Sequence, residues 1–213
     1  AYKAWCMPAN TSTLIALASE ARSWSGSGWR AVEAQHKNAT LSLVHGNLAE
    51  QDLLESIIEE AKPVLPAEAE GLHFLLSTPF RYPPPPSGSR FRAPLDPGVF
   101  YGAEDVKTAC AEAGYWRLRF WLDSAGLSIR TTSLQMTLFE FHGIARTLID
   151  LTRAPFAERR SEWISTADYR ATQSLAVQAR NEAIQAIRYE SARNSPDGRC
   201  LAIEAAQFDL ADD

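Results

Sequence analysis

Cysteine is scarce in this 213-residue chain, and its three copies, Cys6, Cys110 and Cys200, lie far apart. An odd number at such spacing argues against a disulfide framework and suits a reducing compartment. Histidine is equally thin. His36, His45, His73 and His142 show no metal-ligand spacing with one another or with the cysteines, so no metal is expected. No apolar run approaches the ~18 residues that span a bilayer, and the start lacks the basic, then apolar, then small-residue order of a signal peptide. These absences favour a cytoplasmic protein with no membrane partner. Surplus positive charge is missing as well. A net charge of -5 and a pI near 5.5 argue against phosphate-backbone binding, and hence against nucleic acid as a direct partner. Neither a P-loop nor a Gly-x-Ser-x-Gly elbow occurs, which removes two common routes to phosphoryl and acyl chemistry.

What is present begins with apolar content of 46%, enough to bury one sizeable core plus a small helical appendage. Residues 1 to about 70 read as a mainly helical N-terminal extension, closed by Pro63 and Pro66. Within it, one helix is expected from Leu14 to Ala21 and another from Leu48 to Glu60, with Leu54, Ile57 and Ile58 on one face. Between them, Trp24 to Trp29 reads as a turn. Its Gly26-Ser27-Gly28-Trp29-Arg30-Ala31 matches a dinucleotide fingerprint in form, but no buried apolar strand precedes it, so that reading is rejected.

From residue 71 to 213 the pattern alternates between strands and helices. Gly71 to Leu76 reads as a short strand. A long loop from Pro79 to Pro97 follows, stiffened by Pro83-Pro84-Pro85-Pro86 and flanked by Arg81, Tyr82, Arg90 and Arg92. A helix is expected from Ala103 to Ala113, stopped by Gly114, with Val106, Cys110 and Ala113 towards the core and Asp105, Thr108 and Glu112 on another face. Strands are expected over Tyr115 to Trp121, Leu134 to Phe141 and Ile144 to Leu151. A helix from Asp168 to Arg188 then leaves Ser191 just past its end, before a strand at Gly198 to Ile203. No internal repeat is visible. The order predicts an α+β fold, a mixed, split β-sheet with helices packed around it.

One spacing stands out. Arg90, Tyr101 and Glu112 lie eleven residues apart, within Gly88-Ser89-Arg90-Phe91, Gly98-Val99-Phe100-Tyr101 and Thr108-Ala109-Cys110-Ala111-Glu112, and Ser191 follows in Tyr189-Glu190-Ser191-Ala192-Arg193. That ordered set resembles the RES domain, a bacterial toxin family named for its Arg, Glu and Ser. The resemblance covers roughly residues 78 to 204. It implies an NAD-consuming enzyme with an ADP-ribosyltransferase-like fold and, as partner, a cognate Xre-type antitoxin that covers the NAD entrance. The proline-filled interval from Arg81 to Arg90 is shorter than in many relatives, which makes Arg81 and Tyr82 less secure than the spaced set.

The resemblance gives the residues roles that their chemistry can perform. NAD+ enters as co-substrate, and a guanidinium can bind its diphosphate through two parallel charged hydrogen bonds, a role for Arg90 and Arg81, with Arg92 able to share it. Tyr101 on a strand edge and Tyr82 opposite would wall the nicotinamide and its ribose. Glu112 would stabilise the positive charge that develops on the ribose as the glycosidic bond breaks. Its place in the last turn of its helix would cost about 0.3–1 kcal/mol against the macrodipole. Ser191 would bind the nicotinamide amide or a ribose hydroxyl rather than act as nucleophile. Three outcomes are distinguished: mono-ADP-ribosylation of a host protein docked on the extension, release of the ADP-ribose to water or phosphate, and nucleotide or partner binding without turnover.

Overall fold

The computed structural model describes residues 17–34, 38–124 and 134–208. Five strands form a closed barrel in the order β1-β2-β5-β4-β3. They are β1 (Arg22–Glu33), β2 (Phe100–Ala103), β3 (Met136–Asp150), β4 (Ala186–Glu190) and β5 (Arg199–Ile203). The sheet is mixed, as the element order predicts, because β3 and β4 run parallel while the other neighbours are antiparallel. It is closed rather than split. One residue pair, Trp29 with Ala103, joins β1 to β2 and completes the ring.

Apolar residues on both faces of the short strands explain why two cores form. Along β5, Leu201 and Ile203 join Phe100, Phe141 and Phe208 in one cluster, while Cys200 and Ala202 join Phe91, Ile187 and Tyr189 in the other. This is the period-two alternation of a strand buried on both sides. Phe100 sits 4.8 Å from both Phe141 and Phe208 in edge-on ring contacts. Gly28 and Gly102 face the Phe141 ring so closely that neither position has room for a Cβ. Gly28, expected in a turn, therefore serves a strand whose backbone comes close to an aromatic core.

Several expected elements are corrected. The segment from Trp24 to Trp29 lies inside β1, which pairs with β3 along its whole length, so residues 22–33 are barrel wall and not helical extension. Helices do follow in that region: α1 (Asn38–Leu43) and α2 (Leu48–Glu60), the latter as expected. Of the Leu14 to Ala21 helix, residues 17–20 are helical; residues 14–16, like Cys6 and His36, lie outside the described residues. The strand expected at Gly71 to Leu76 is instead the start of α3 (Phe74–Arg81), because the His73 ring accepts the Leu75 N–H and caps a helix.

The helix carrying Glu112, α4 (Val106–Asp123), runs straight through Gly114 and absorbs the strand expected at Tyr115 to Trp121. Glycine stops a helix when it takes a left-handed conformation, and Gly114 is not among the glycines with positive φ. The faces of α4 differ from expectation in part: Thr108 is buried, whereas Val106 and Cys110 are exposed. Leu134 to Phe141 and Ile144 to Leu151 merge into the single strand β3. After the short α5 (Arg160–Trp163), α6 (Arg170–Asn181) ends well before Arg188, since Ala183 turns the chain with φ 55°. Ser191 consequently follows strand β4, not a helix.

Candidate functional site

The site is assembled where β2 hands over to α4. Asp105 caps α4, its carboxylate accepting the backbone N–H of Thr108 at 2.8 Å and the Thr108 hydroxyl at 2.6 Å. Thr108 in turn accepts from the Asn194 side chain at 2.8 Å, tying the 191–198 loop to the helix start. One turn further, Glu112 lies on the same buried-facing side and meets that loop. The Ser191 hydroxyl donates to the Glu112 carboxylate at 2.6 Å and accepts the backbone N–H groups of Arg193 and Asn194 at 3.1 and 3.0 Å. With 0% exposure and its hydrogen bonds made inward, Ser191 holds Glu112 from behind and is not among the residues bordering the cavity, where the sequence reading has it meet nicotinamide or ribose. Glu112 itself sits mid-helix, so the macrodipole penalty expected at a helix end does not arise.

Arg90 reaches the cavity through a local device. Gly88 takes φ 72° against the Arg92 carbonyl, a conformation that L residues avoid, and starts a tight turn. Phe91 then buries its ring against Tyr189, 4.9 Å between centroids, and the Tyr101 hydroxyl locks the turn. That hydroxyl shares a 2.9 Å hydrogen bond with Ser89 and accepts the Phe91 N–H at 3.0 Å. Burial pushes the Tyr101 phenol above its ordinary value, so it stays protonated. With Phe91 pinned inward, Arg90 is left facing the cavity, over the Tyr169 ring at 5.0 Å and donating to the Trp163 carbonyl.

The cavity holds about 250 Å³ and is bordered by Arg90, Tyr101, Glu112, Tyr169, Tyr189 and Cys200 together with two arginines that the spacing did not single out, Arg30 and Arg193. Arg193 lies flat on Tyr115 at 3.4 Å and its Nε is buried with no hydrogen-bond partner; the Nε of Arg30 is the same. Burial lowers the Arg30 guanidinium to about 10, which leaves it cationic at neutral pH. The Cys200 thiol is pushed up to about 12 by burial and then by the Glu112 charge, so it is no nucleophile. Arg30 and Arg193 escape sequence reasoning for different reasons. Arg193 stands two residues after Ser191, in view but unweighted, whereas Arg30 lies just past the segment read as a turn, in the rejected glycine motif.

The structure thus brings Arg90, Tyr101 and Glu112 to one cavity, with Ser191 behind. It does not bring Arg81, which α3 carries against α2, where it pairs with Glu59 at 2.6 Å. Tyr82 does not border that cavity but lines a neighbouring one, together with Arg92 and Tyr101. Among the described residues, no group of three or more His, Cys, Asp or Glu side chains is placed to hold a metal, and no helix is long and apolar enough to cross a membrane.

The model of the RES domain matches residues 65–213. The chain belongs to the RES-domain family. The matched span takes in α3, the Gly88 turn, Glu112 and Ser191, and it leaves β1 with Arg30 outside. No curated protein matches this RES-domain chain in sequence. Among solved structures, it is similar to a chain of the M. tuberculosis MbcT-MbcA toxin-antitoxin complex, with a TM-score of 0.53 and 14% identity over 92% of this chain and 84% of that one.

Proposed function

We propose that the protein cleaves NAD+ between nicotinamide and ribose, and that it acts as the growth-arresting toxin of a toxin-antitoxin pair. One observation carries the reading. Arg30, Arg90 and Arg193 border the cavity without an ion-pair partner among the described residues, and Glu112 is the one acid beside them. In a chain with a net charge of -5, this is a local cationic excess built for an anion. A diphosphate supplies two negative charges, and the orphaned Nε atoms of Arg30 and Arg193 need acceptors.

In the reaction the C–N bond breaks with its electron pair leaving on nicotinamide, and the ribose carbon becomes an oxocarbenium ion. Glu112, steered by Ser191, faces that charge; Arg90 and its neighbours hold the phosphates; Tyr169 and Tyr189 offer flat walls to the ring. An acceptor then bonds to the ribose carbon and gives up a proton. Water or phosphate reaching into the cavity is one reading of that acceptor. The second reading is mono-ADP-ribosyl transfer to a host protein, favoured by the exposed apolar residues Leu53, Ile57 and Ile58 on α2. As antitoxin, an Xre-type partner in the cytoplasm suits the family, and the similar solved structure is itself a toxin-antitoxin complex.

The test is to incubate the purified protein, beside Glu112→Gln, in bacterial lysate with NAD+ labelled in its adenylate half. Free ADP-ribose or its phosphorylated form, absent with the variant, is the expected product. A labelled protein band dependent on Glu112 selects transfer, and intact NAD+ after long incubation at high enzyme concentration defeats the enzymatic reading altogether.

A further inference from the structure

Arg30 lies N-terminal to the segment that defines the family, yet it borders two cavities at once. The first is the 250 Å³ cavity beside Glu112; the second, about 330 Å³, is walled by α3 and the proline run and includes Leu75, Thr78, Tyr82, Pro84 and Arg92. Ser89 and Tyr101 border both as well, so the three residues form a common wall. Arg30 is held there firmly. Its guanidinium sits 4.7 Å over the Phe100 ring and donates to the Tyr101 carbonyl at 2.6 Å, while its Nε is buried without a partner. A buried guanidinium with no facing carboxylate is costly unless an anion lies beside it.

The cavity volumes bear on how far a substrate extends. A pocket of 250 Å³ falls short of the ~300–1,000 Å³ that encloses a drug-sized ligand, and a dinucleotide is at the large end of that class. The second cavity has the character an adenosine needs. Prolines 83 to 85 present a stiff apolar wall whose conformation is set before binding, Tyr82 adds a ring, and Arg92 is fixed by donating to the Tyr82 and Asp96 carbonyls at 2.8 and 3.1 Å.

We propose that the substrate straddles this wall, its nicotinamide riboside half beside Glu112, its diphosphate on Arg30, and its adenosine half in the proline-lined cavity. This rests on the NAD+ reading above and adds to it a substrate-binding residue from outside the family segment. It also gives the proline run a purpose, as the preformed wall of an adenosine subsite.

The experiment measures binding to the full chain by calorimetry with two probes, ADP for the distal half and nicotinamide riboside for the proximal half. Arg30→Gln is expected to weaken ADP roughly tenfold or more, with Arg30→Lys in between because it keeps the charge but loses the fork. Two cavity fillers from α3, Leu75→Trp and Thr78→Tyr, are each expected to weaken ADP by a similar factor and to change nicotinamide riboside affinity by less than about threefold. Either filler suffices if the other fails to fold, as its melting curve reveals. ADP affinity unchanged in a folded filler, or lost in step with nicotinamide riboside, overturns the inference. If the wild-type protein binds nicotinamide riboside and NAD+ but not ADP, the two-cavity arrangement fails alone; if it binds none of the three, the NAD+ reading fails with it.

Discussion

The arginines of this protein fall into two populations. Many of those away from the cavity are neutralised: Arg188 pairs with Glu104 and Asp150, Arg160 makes a forked pair with Glu190, and Arg180 pairs with Asp96. Around the cavity, Arg30, Arg90 and Arg193 lean on Phe100, Tyr169 and Tyr115 and donate to carbonyls or to nothing. An aromatic face holds a cation in place without consuming its charge, whereas a carboxylate cancels it. The first population ties elements together; the second stores positive potential where a substrate anion can collect it.

The sharpest way to break that contrast is to remove the single counter-charge in the cavity. Glu112→Gln keeps an acceptor for the Ser191 hydroxyl but presents no negative charge to the ribose. NAD+ turnover should fall by roughly 10²–10³-fold with the melting temperature nearly unchanged. A variant that retains most activity would transfer the catalytic role away from this carboxylate. Next in size, Arg193→Ala should raise the KM for NAD+ by about tenfold with a smaller change in kcat, since no carboxylate is stranded by the loss and only the Tyr115 stack is given up.

Arg188→Met probes the other population. Glu104 and Asp150 would lose the cation between them, at distances of 2.6 and 2.9 Å, and the strands β2, β3 and β4 would lose their common tie. Because these groups are partly exposed, the cost should be about 2 kcal/mol and not the full penalty of a buried pair. A fall of ~4–8 °C in the melting temperature, with the KM for NAD+ held, is the expected result. Equal damage to KM would mean that the two populations are not separable.

How much of this was legible beforehand depends on whether the deciding contact is local. Arg90, Tyr101 and Glu112 were singled out by the resemblance to the RES domain, and they share one cavity because the Gly88 turn, β2 and the start of α4 follow one another directly in the chain. The strand β5 and the helix α2 were equally readable, since their own periodicity specifies them. The strand β1 was not. Its Gly28 is explained by Phe141, over a hundred residues away, and without that ring it looks like part of a turn. The continuation of α4 past Gly114 coincides with Arg193 stacking on Tyr115, and the early end of α6 with the left-handed Ala183; neither is periodic information. The unpaired state of Arg30 and Arg193 is a tertiary fact as well. Sequence can show an arginine, but not which carboxylate it fails to meet.

The smallest expected effect separates the populations by pH. The Arg160 fork holds the Glu190 carboxyl below the usual 4.5, with Ser195 donating to it as well, against the opposing effect of burial. A depressed folded value means that the contribution to stability is complete above about pH 4.5 and is lost as pH falls through the folded value. Wild-type melting temperature should therefore exceed that of Arg160→Met by ~2–4 °C at neutral pH, with the gap closing as the solution is acidified below that point. Arg193 makes no ion pair among the described residues, so its loss removes no partner of that kind. The same acidification should leave the melting temperature of Arg193→Ala offset from wild type by a constant amount. A gap that narrows in both variants alike would show that the cavity cations are neutralised by an acid after all, and would erase the distinction on which the substrate site is argued.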